Sequence, residues 1–105
     1  MLLSPGNVPG PERSRPLNEI HVELEGAVDL AVAPELRARL RAASSSPQED
    51  RLVLDLSRTT LLDAAAMGVI VGAARAYAEV ELRGACPVLR RALEAGGLTE
   101  VVHVA

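Results

Sequence analysis

The amino-acid sequence predicts an α/β domain with a mixed, mainly parallel sheet of four to five strands and helices packed on it. Three observations lead to this prediction. Short apolar runs typical of strands alternate with segments whose apolar residues recur at helical spacing. A strand over residues 52–56 is followed closely by an apolar helix over residues 64–74, the order of a parallel β-α unit. The chain has 105 residues, the length of one small domain.

The stretch 52–74 is the centre of the predicted fold. Residues 52–56 are apolar except for Asp55, a pattern typical of parallel strands covered on both faces. Residues 57–62 are predicted to form a short link. Asp63 is predicted to cap the helix, because a carboxylate there accepts hydrogen bonds from free amides of the first turn.

The helix after Asp63 has no charged residue before Arg75, so it is either fully buried or presents an apolar contact face. Gly68 and Gly72 would let another backbone approach closely. The stripe expected to face the core consists of Met67, Ile70, Val71, Ala74 and Ala78.

Composition excludes several classes of protein. The net charge of -3 argues against a nucleic-acid-binding protein, which needs a basic surface. Tyr77 is the only aromatic residue, so the core is built from aliphatic side chains. The single cysteine, Cys86, is expected to be a small buried apolar residue and suits a reducing, cytoplasmic location. No segment is long and apolar enough for direct membrane insertion.

The N-terminal part of the chain divides into a tail and the start of the domain. Residues 1–16 contain four prolines and two glycines without apolar periodicity, so we expect a disordered tail. Residues 17–105 form the domain. Residues 17–25 alternate as a half-solvated strand with His21 on the polar face, Gly26 turns or bulges the chain, and residues 27–30 are a second short strand.

The remaining elements follow in order. A helix begins at Pro34, with Leu36, Leu40 and Ala43 inward and a surface ion pair between Glu35 and Arg39. Residues 80–83 are a strand, and residues 98–104, which contain His103, are the last strand. A further helix starts at Pro87 and ends at Gly96–Gly97, and its inward residues are Val88, Leu89, Ala92 and Leu93.

No enzyme motif is present in the sequence. It has no phosphate-binding loop, dinucleotide fingerprint or nucleophile elbow, and His21 and His103 lack metal-ligand spacing. Asp29, Asp55 and Asp63 could converge at strand ends as a divalent-metal site or a phospho-acceptor pocket. The sequence contains no lysine, which weakens the likeness to response-regulator receivers. We therefore expect no catalysis, no metal and no cofactor.

Three motifs together resemble the STAS domain family of bacterial anti-sigma-factor antagonists, over residues 17–105. The first is LEGAVD at residues 24–29, followed by Pro34 and Leu36. The second is LDLS at residues 54–57 through Leu62-Asp63, and then GVI at residues 68–70. The third runs from Val88-Leu89 to Gly97-Leu98. The resemblance implies a single STAS-like domain that acts as a protein-binding regulator.

In that family the partner is an anti-sigma factor that is also a serine kinase, and it phosphorylates a serine directly after the aspartate at the helix start. The matching position here is Ala64, so the resemblance implies a lost phospho-acceptor. The other nearby hydroxyls, on Ser57, Thr59 and Thr60, are expected to make turn hydrogen bonds. The residues predicted to bind the partner are Asp29, Ser57, Thr60, Asp63, Ala64, Ala65, Met67 and Gly68.

Three hypotheses for function remain open from the sequence. The first is a STAS protein that binds an anti-sigma factor without a phosphorylation switch. The second is an accessory STAS subunit of a larger signalling or transporter assembly. A small-ligand or nucleotide binder is the third, although no phosphate cradle supports it. Because the family commonly carries a closing helix after its last strand, we also expect uncovered apolar surface that favours a homodimer or a partner.

Overall fold

The computed structural model describes residues 17–105, so the predicted tail, residues 1–16, lies outside the described part. The strands are β1 (Asn18–Val28), β2 (Asp50–Leu62), β3 (Glu79–Arg83) and β4 (His103–Val104). The helices are α1 (Ala33–Ala42), α2 (Ala64–Ala76) and α3 (Pro87–Ala95). Single 3-10 turns occupy Pro47–Glu49 and Leu98–Glu100. The predicted α/β class is confirmed.

The four strands form one sheet in chain order, β1-β2-β3-β4, and every pairing is parallel. Connections between neighbouring parallel strands share one hand, so strands added in one direction place their helices on the same face. The packing agrees, because all three helices contribute to one apolar cluster with alternate strand residues such as Leu52, Leu54 and Leu82. The sheet therefore has one helix-covered face.

The opposite face of the sheet carries rows of charged side chains. In register across the strands lie Glu19, Arg51 and Glu79, and four residues further on lie Glu23, Asp55 and Arg83. Arg51 reaches Glu79 at 2.8 Å. Val53 lies between these rows and is only 1% exposed, which confirms that the centre of β2 is buried on both faces.

β2 is longer than predicted, and the expected link over residues 57–62 is strand. Residues beyond Asp55 have no partner on β3 and pair with β1 alone, up to Leu62 opposite Val28. The strand continues because β1 supplies its hydrogen bonds, with two register shifts. The Thr59 hydroxyl donates to the Leu24 carbonyl at the first of these shifts. β1 and β2 thus form a two-stranded extension beyond β3.

Two other strand predictions were wrong in their boundaries. Residues 27–30 are not a separate strand, because β1 runs through Gly26, whose φ of +70° sits at a register shift, and ends at Val28. The last strand is limited to β4, since Leu98–Glu100 winds into a 3-10 turn after the left-handed Gly97. The predicted helix end at Gly96–Gly97 is confirmed.

Several predicted side-chain positions were also wrong. Val88 is 68% exposed, because the buried face of α3 is carried by Leu89 and Leu93. Cys86 is exposed, because it precedes α3 in a loop. Arg39 donates to the Glu23 carbonyl at 3.1 Å and makes no ion pair with Glu35 in the described chain.

The core face of α2 differs from the predicted stripe. Its buried residues are Ala66, Val69, Ile70 and Ala73. Met67, Val71 and Ala74 are half-buried beside that face, and Ala78 lies beyond the helix end. An apolar sequence on every side of a helix gives no periodic signal that selects one face, so the orientation of α2 was set by its packing on α1 and the sheet.

Candidate functional site

The start of α2 lies at the tip of the β1–β2 extension and is organised by the Asp63 carboxylate. One carboxylate oxygen, Oδ1, accepts a hydrogen bond from the Ala66 amide at 3.0 Å, which is the predicted helix cap. The other, Oδ2, accepts from the Leu30 amide at 2.9 Å. The Asp63 amide in turn donates to the Val28 carbonyl. Asp63 therefore fixes the loop after β1 against the first turn of α2.

Asp29 lies in the same loop, as the sequence predicted for the site. Its carboxylate accepts from the Ala31 amide at 3.0 Å, which closes a local turn. This turn leaves the Leu30 side chain 72% exposed. Leu61, at the end of β2, is 46% exposed. The tip is thus a polar backbone framework with apolar side chains projecting from it.

Ala64 is the first residue of α2 and is exposed. Its methyl group gives this position no hydroxyl, no charge and no hydrogen-bonding atom. Ala65 is half-buried and Gly68, one turn further on, is exposed. Met67 is half-buried, and its sulfur lies 2.8 Å from the position that a Cβ on Gly96 would occupy, so it fills the contact between α2 and the end of α3. We use the name tip surface for the exposed residues Leu30, Leu61 and Ala64, which lie at the end of the β1–β2 extension and at the first position of α2.

The structure places Ser57 apart from the tip surface. Ser57 is exposed on β2 next to Gly84, and five extended residues separate it from Asp63, which places the two residues roughly 20 Å apart along the strand. Thr60 is exposed and lies closer to the tip. Thr59 is buried and its hydroxyl is used by the Leu24 carbonyl, in place of the turn hydrogen bond expected from the sequence.

Asp55 does not join Asp29 and Asp63. It lies in the middle of β2, where it accepts from the Ser57 amide at 2.9 Å. The hydrogen bonds from Ser57 hold the pKa of the Asp55 carboxyl below its usual value, with smaller effects from Arg58 and Arg83. Within residues 17–105, no group of three or more histidine, cysteine or acidic side chains is arranged to hold a metal ion. The possible convergence of the three aspartates is therefore not found.

Sequence reasoning missed Leu30 and Leu61, the two exposed apolar side chains of the tip surface. Leu30 directly follows the Asp29 of the family motif, and this proximity was the available signal. Leu61 was assigned to a link, whereas the extended conformation of β2 gives it an outward direction opposite Ala27. The signal for Leu61 depends on a strand pairing that the sequence alone does not specify.

In the part of the chain that the structure describes, no helix is long and apolar enough to cross a membrane.

Three solved structures illustrate the similarity of the fold. An unphosphorylated form of the anti-sigma factor antagonist SpoIIAA superposes with a TM-score of 0.60 and 15% identity, over 87% of this chain and 82% of that one. The phosphorylated form of the Bacillus cell fate determinant SpoIIAA superposes with a TM-score of 0.59 and 18% identity, over 84% of this chain and 83% of that one.

The third structure is the STAS domain of a SulP transporter from Vibrio cholerae, with a TM-score of 0.63 and 19% identity, over 90% of this chain and 80% of that one. No curated protein matches the sequence. The model of the family described as "Mlab, STAS domain" matches residues 12–103. Because this match covers most of the chain and the fold agrees with it, the protein belongs to the STAS domain family.

Proposed function

We propose that this domain is a protein-binding regulatory module that docks through the tip surface and is not switched by serine phosphorylation. The observation that carries the proposal is Ala64, an exposed methyl group at the first position of α2. A methyl side chain has no nucleophilic atom that could accept a phosphate. The docking surface at this position is therefore permanently in its uncharged state.

The environment of Ala64 supports docking to a protein. Leu30 and Leu61 have large apolar side chains that are exposed to solvent. The Asp63 carboxylate fixes the loop that carries Leu30, because it accepts hydrogen bonds both from that loop and from the first turn of α2. Burying such side chains against a partner is favourable at about 25 cal/mol per Å² of apolar area. Preorganisation of the loop lowers the entropic cost of docking.

The partner we propose is an anti-sigma factor of the serine-kinase type. Support comes from the family, from the fold shared with an anti-sigma factor antagonist, and from the placement of Asp29 and Asp63 beside Ala64. SpoIIAA exists in phosphorylated and unphosphorylated forms. A phosphate at such a helix start would add about -1.5 to -2 charges to an apolar contact. With alanine there, antagonism would be constitutive.

The test compares three versions of the full chain as bait in the lysate of its native host. Wild type and Ala64→Ser are expected to capture the same kinase-type anti-sigma factor, whereas Ala64→Asp is expected to lose it. The aspartate is compatible with folding, because negative charge is favourable in the first turn of a helix. Thermal melting of each variant checks this compatibility.

ATP then separates the two binding variants. Added to the captured complexes, it is expected to release Ala64→Ser through phosphorylation and to leave wild type bound. Release of wild type by ATP, or phosphate on wild type after the incubation, would contradict the proposal that this domain has no phosphorylation switch. Equal capture by wild type and Ala64→Asp would place the docking surface away from the tip.

A second candidate is an accessory STAS subunit of a larger signalling or transporter assembly. The observation in its favour is again Ala64, because a permanent subunit needs no switch, and the similarity to a transporter STAS domain supports it. This hypothesis predicts that wild type co-purifies with a membrane-associated complex and that no kinase is present in it. Size-exclusion chromatography of native lysate, with detection of the chain by antibody, measures the outcome.

A further inference from the structure

A groove of about 430 Å³ runs between α1 and α2, on a different flank of α2 from Met67 and the contact with α3. Leu40 lies on the α1 side, and Val69, Ala73 and Tyr77 lie on the α2 side. Tyr77 donates its hydroxyl hydrogen to the Leu40 carbonyl at 2.7 Å, so its polar group is satisfied within the wall. The floor of the groove is therefore apolar, and its four residues are buried.

The α2 wall of the groove carries almost no side chain. Gly68, Gly72 and Ala76 line it at intervals of four residues and are all exposed. A Cβ placed on either glycine would meet no atom within 4 Å outside its own turn of helix, so the space above them is open. The line from Gly68 to Ala76 is about 12 Å long at 1.5 Å per residue, enough for two turns of another helix.

The α1 wall is positively charged. Arg37 and Arg41 line the groove one helical turn apart, and both are exposed. No acidic residue lines it, and neither guanidinium pairs with an acid of residues 17–105. The groove thus joins an apolar trough to one cationic rim, on a chain whose net charge is -3.

We propose that this groove binds an amphipathic helix of a partner protein, one that carries small or apolar residues on the buried face and two carboxylates one turn apart. The carboxylates match Arg37 and Arg41, because acidic residues at positions i and i+4 of a helix have the same spacing as the two arginines. Gly68 and Gly72 let the backbone of the partner helix approach closely.

A helix fits this surface better than an extended peptide. Both walls are helices whose backbone groups are bonded internally, so they offer no sheet edge to which a strand could be added. Recognition must then come from side chains packed along a groove, which is the helix-in-groove mode. This inference does not rest on the proposed function of the tip surface, because Arg37, Arg41 and Gly72 are not part of that surface.

The test selects the ligand from a library of helix-constrained peptides displayed on phage, with the full chain as the immobilised target. Selected peptides are synthesised with a fluorophore, and their affinities are measured by fluorescence anisotropy. We expect acidic residues at i and i+4 to be enriched along one edge of the peptide. The Arg37→Glu/Arg41→Glu variant is expected to bind at least about tenfold more weakly, because attraction becomes repulsion at two sites.

Three further variants make the result specific. Arg90→Glu/Arg91→Glu changes the net charge equally on α3 and should bind within about twofold of wild type, since neither residue lines the groove and salt screens charges outside it. Replacing the two acidic residues of the peptide by lysine should restore binding to Arg37→Glu/Arg41→Glu. Ala64→Asp should leave peptide binding unchanged, which separates this groove from the tip surface.

Gly72→Leu fills the groove without strain on the fold. The glycine is exposed on a helix with open space above it, and leucine is a far better helix former by nearly 1 kcal/mol. We expect lost peptide binding together with an unchanged or higher melting temperature. The proposal is overturned if the selected peptides lack the acidic pair, or if neither Arg37→Glu/Arg41→Glu nor Gly72→Leu changes the affinity of the peptides.

Discussion

The carboxylate of Asp63 accepts a hydrogen bond from the backbone amide of Leu30, 33 residues earlier in the chain, at 2.9 Å. The same carboxylate caps α2 through the Ala66 amide. One side chain thereby joins the loop between β1 and α1 to the start of α2, and the backbone amide of the same residue bonds the Val28 carbonyl at the end of β1. The exposed position of Leu30 and the direction of α2 both depend on this side chain.

Asp63→Ala should destabilise the domain more than Asp29→Ala. The first substitution removes a helix cap and a bond between distant segments, at an expected cost of about 1–3 kcal/mol in the free energy of unfolding. The second removes one bond within a turn, to Ala31, at about 0.5–1 kcal/mol. Urea unfolding followed by circular dichroism measures both costs. Equal costs would show that the bond between Asp63 and Leu30 contributes nothing.

Tyr77 should ionise above its usual range. Burial, and to a smaller degree the negative charge of Asp50, raises the pKa of the Tyr77 phenol above 10.0. The pKa of this phenol is higher in the folded state than in the unfolded state, so the protonated phenol contributes to the stability of the fold. This contribution is fully present below pH 10 and is lost as the pH rises through the pKa of the folded state. Tyr77 is the sole tyrosine and tryptophan is absent, so near-ultraviolet absorbance of tyrosinate reports this group alone.

The Tyr77→Phe variant is the control for this pH dependence. It lacks the hydrogen bond to the Leu40 carbonyl and should be about 1 kcal/mol less stable at neutral pH. Its unfolding free energy should decline less steeply than that of wild type above pH 10. A tyrosinate titration of wild type centred at the ordinary value would contradict the prediction.

Stability in acid should depend on Glu81. The hydrogen bond from Arg83 holds the pKa of the Glu81 carboxyl below its ordinary value of 4.5, and His103 and Arg51 add smaller effects. Because the pKa of Glu81 is lowered by folding, its ionised carboxylate contributes to the stability of the fold. This contribution is present above the ordinary pKa and is lost as the pH falls through the pKa of the folded state. Glu81→Gln should therefore flatten the acid side of the stability profile, measured by urea unfolding at several pH values.

Glu94→Gln is the matched control for Glu81→Gln. Glu94 is exposed on α3 and forms no ion pair within the described chain, so its replacement should leave the acid profile as in wild type. If both variants change the profile equally, the pair formed by Glu81 and Arg83 does not stabilise the fold.

Gly84→Ala should be more destabilising than Gly26→Ala. Both glycines have positive φ, +79° and +70°, which costs alanine about 1–2 kcal/mol. At Gly84 the new Cβ would also lie 3.0 Å from the Ser57 Cβ and 3.1 Å from its backbone nitrogen, whereas at Gly26 it meets nothing. Thermal melting of both variants gives the comparison. A lower melting temperature for Gly26→Ala would show that the contact between β2 and Gly84 is loose.

The sequence by itself determined the features that depend on neighbouring residues. The apolar run around Leu54 fixed a buried strand, the carboxylate of Asp63 fixed the start of α2, and Gly97 fixed the end of α3. These signals are local because capping, turn formation and burial of a short run involve residues a few positions apart. The alternation of strands and helices then predicted a parallel sheet, as found.

The tertiary structure decided what depends on distant partners. β2 continues to Leu62 because β1 supplies hydrogen bonds, and no local pattern shows that pairing. The buried face of α2 was selected by packing, since a helix that is apolar on every side has no preferred face. The proximity of Leu30, Asp63 and Ala64, and the cationic groove beside Gly72, likewise arise only when segments far apart in sequence are brought together in the fold.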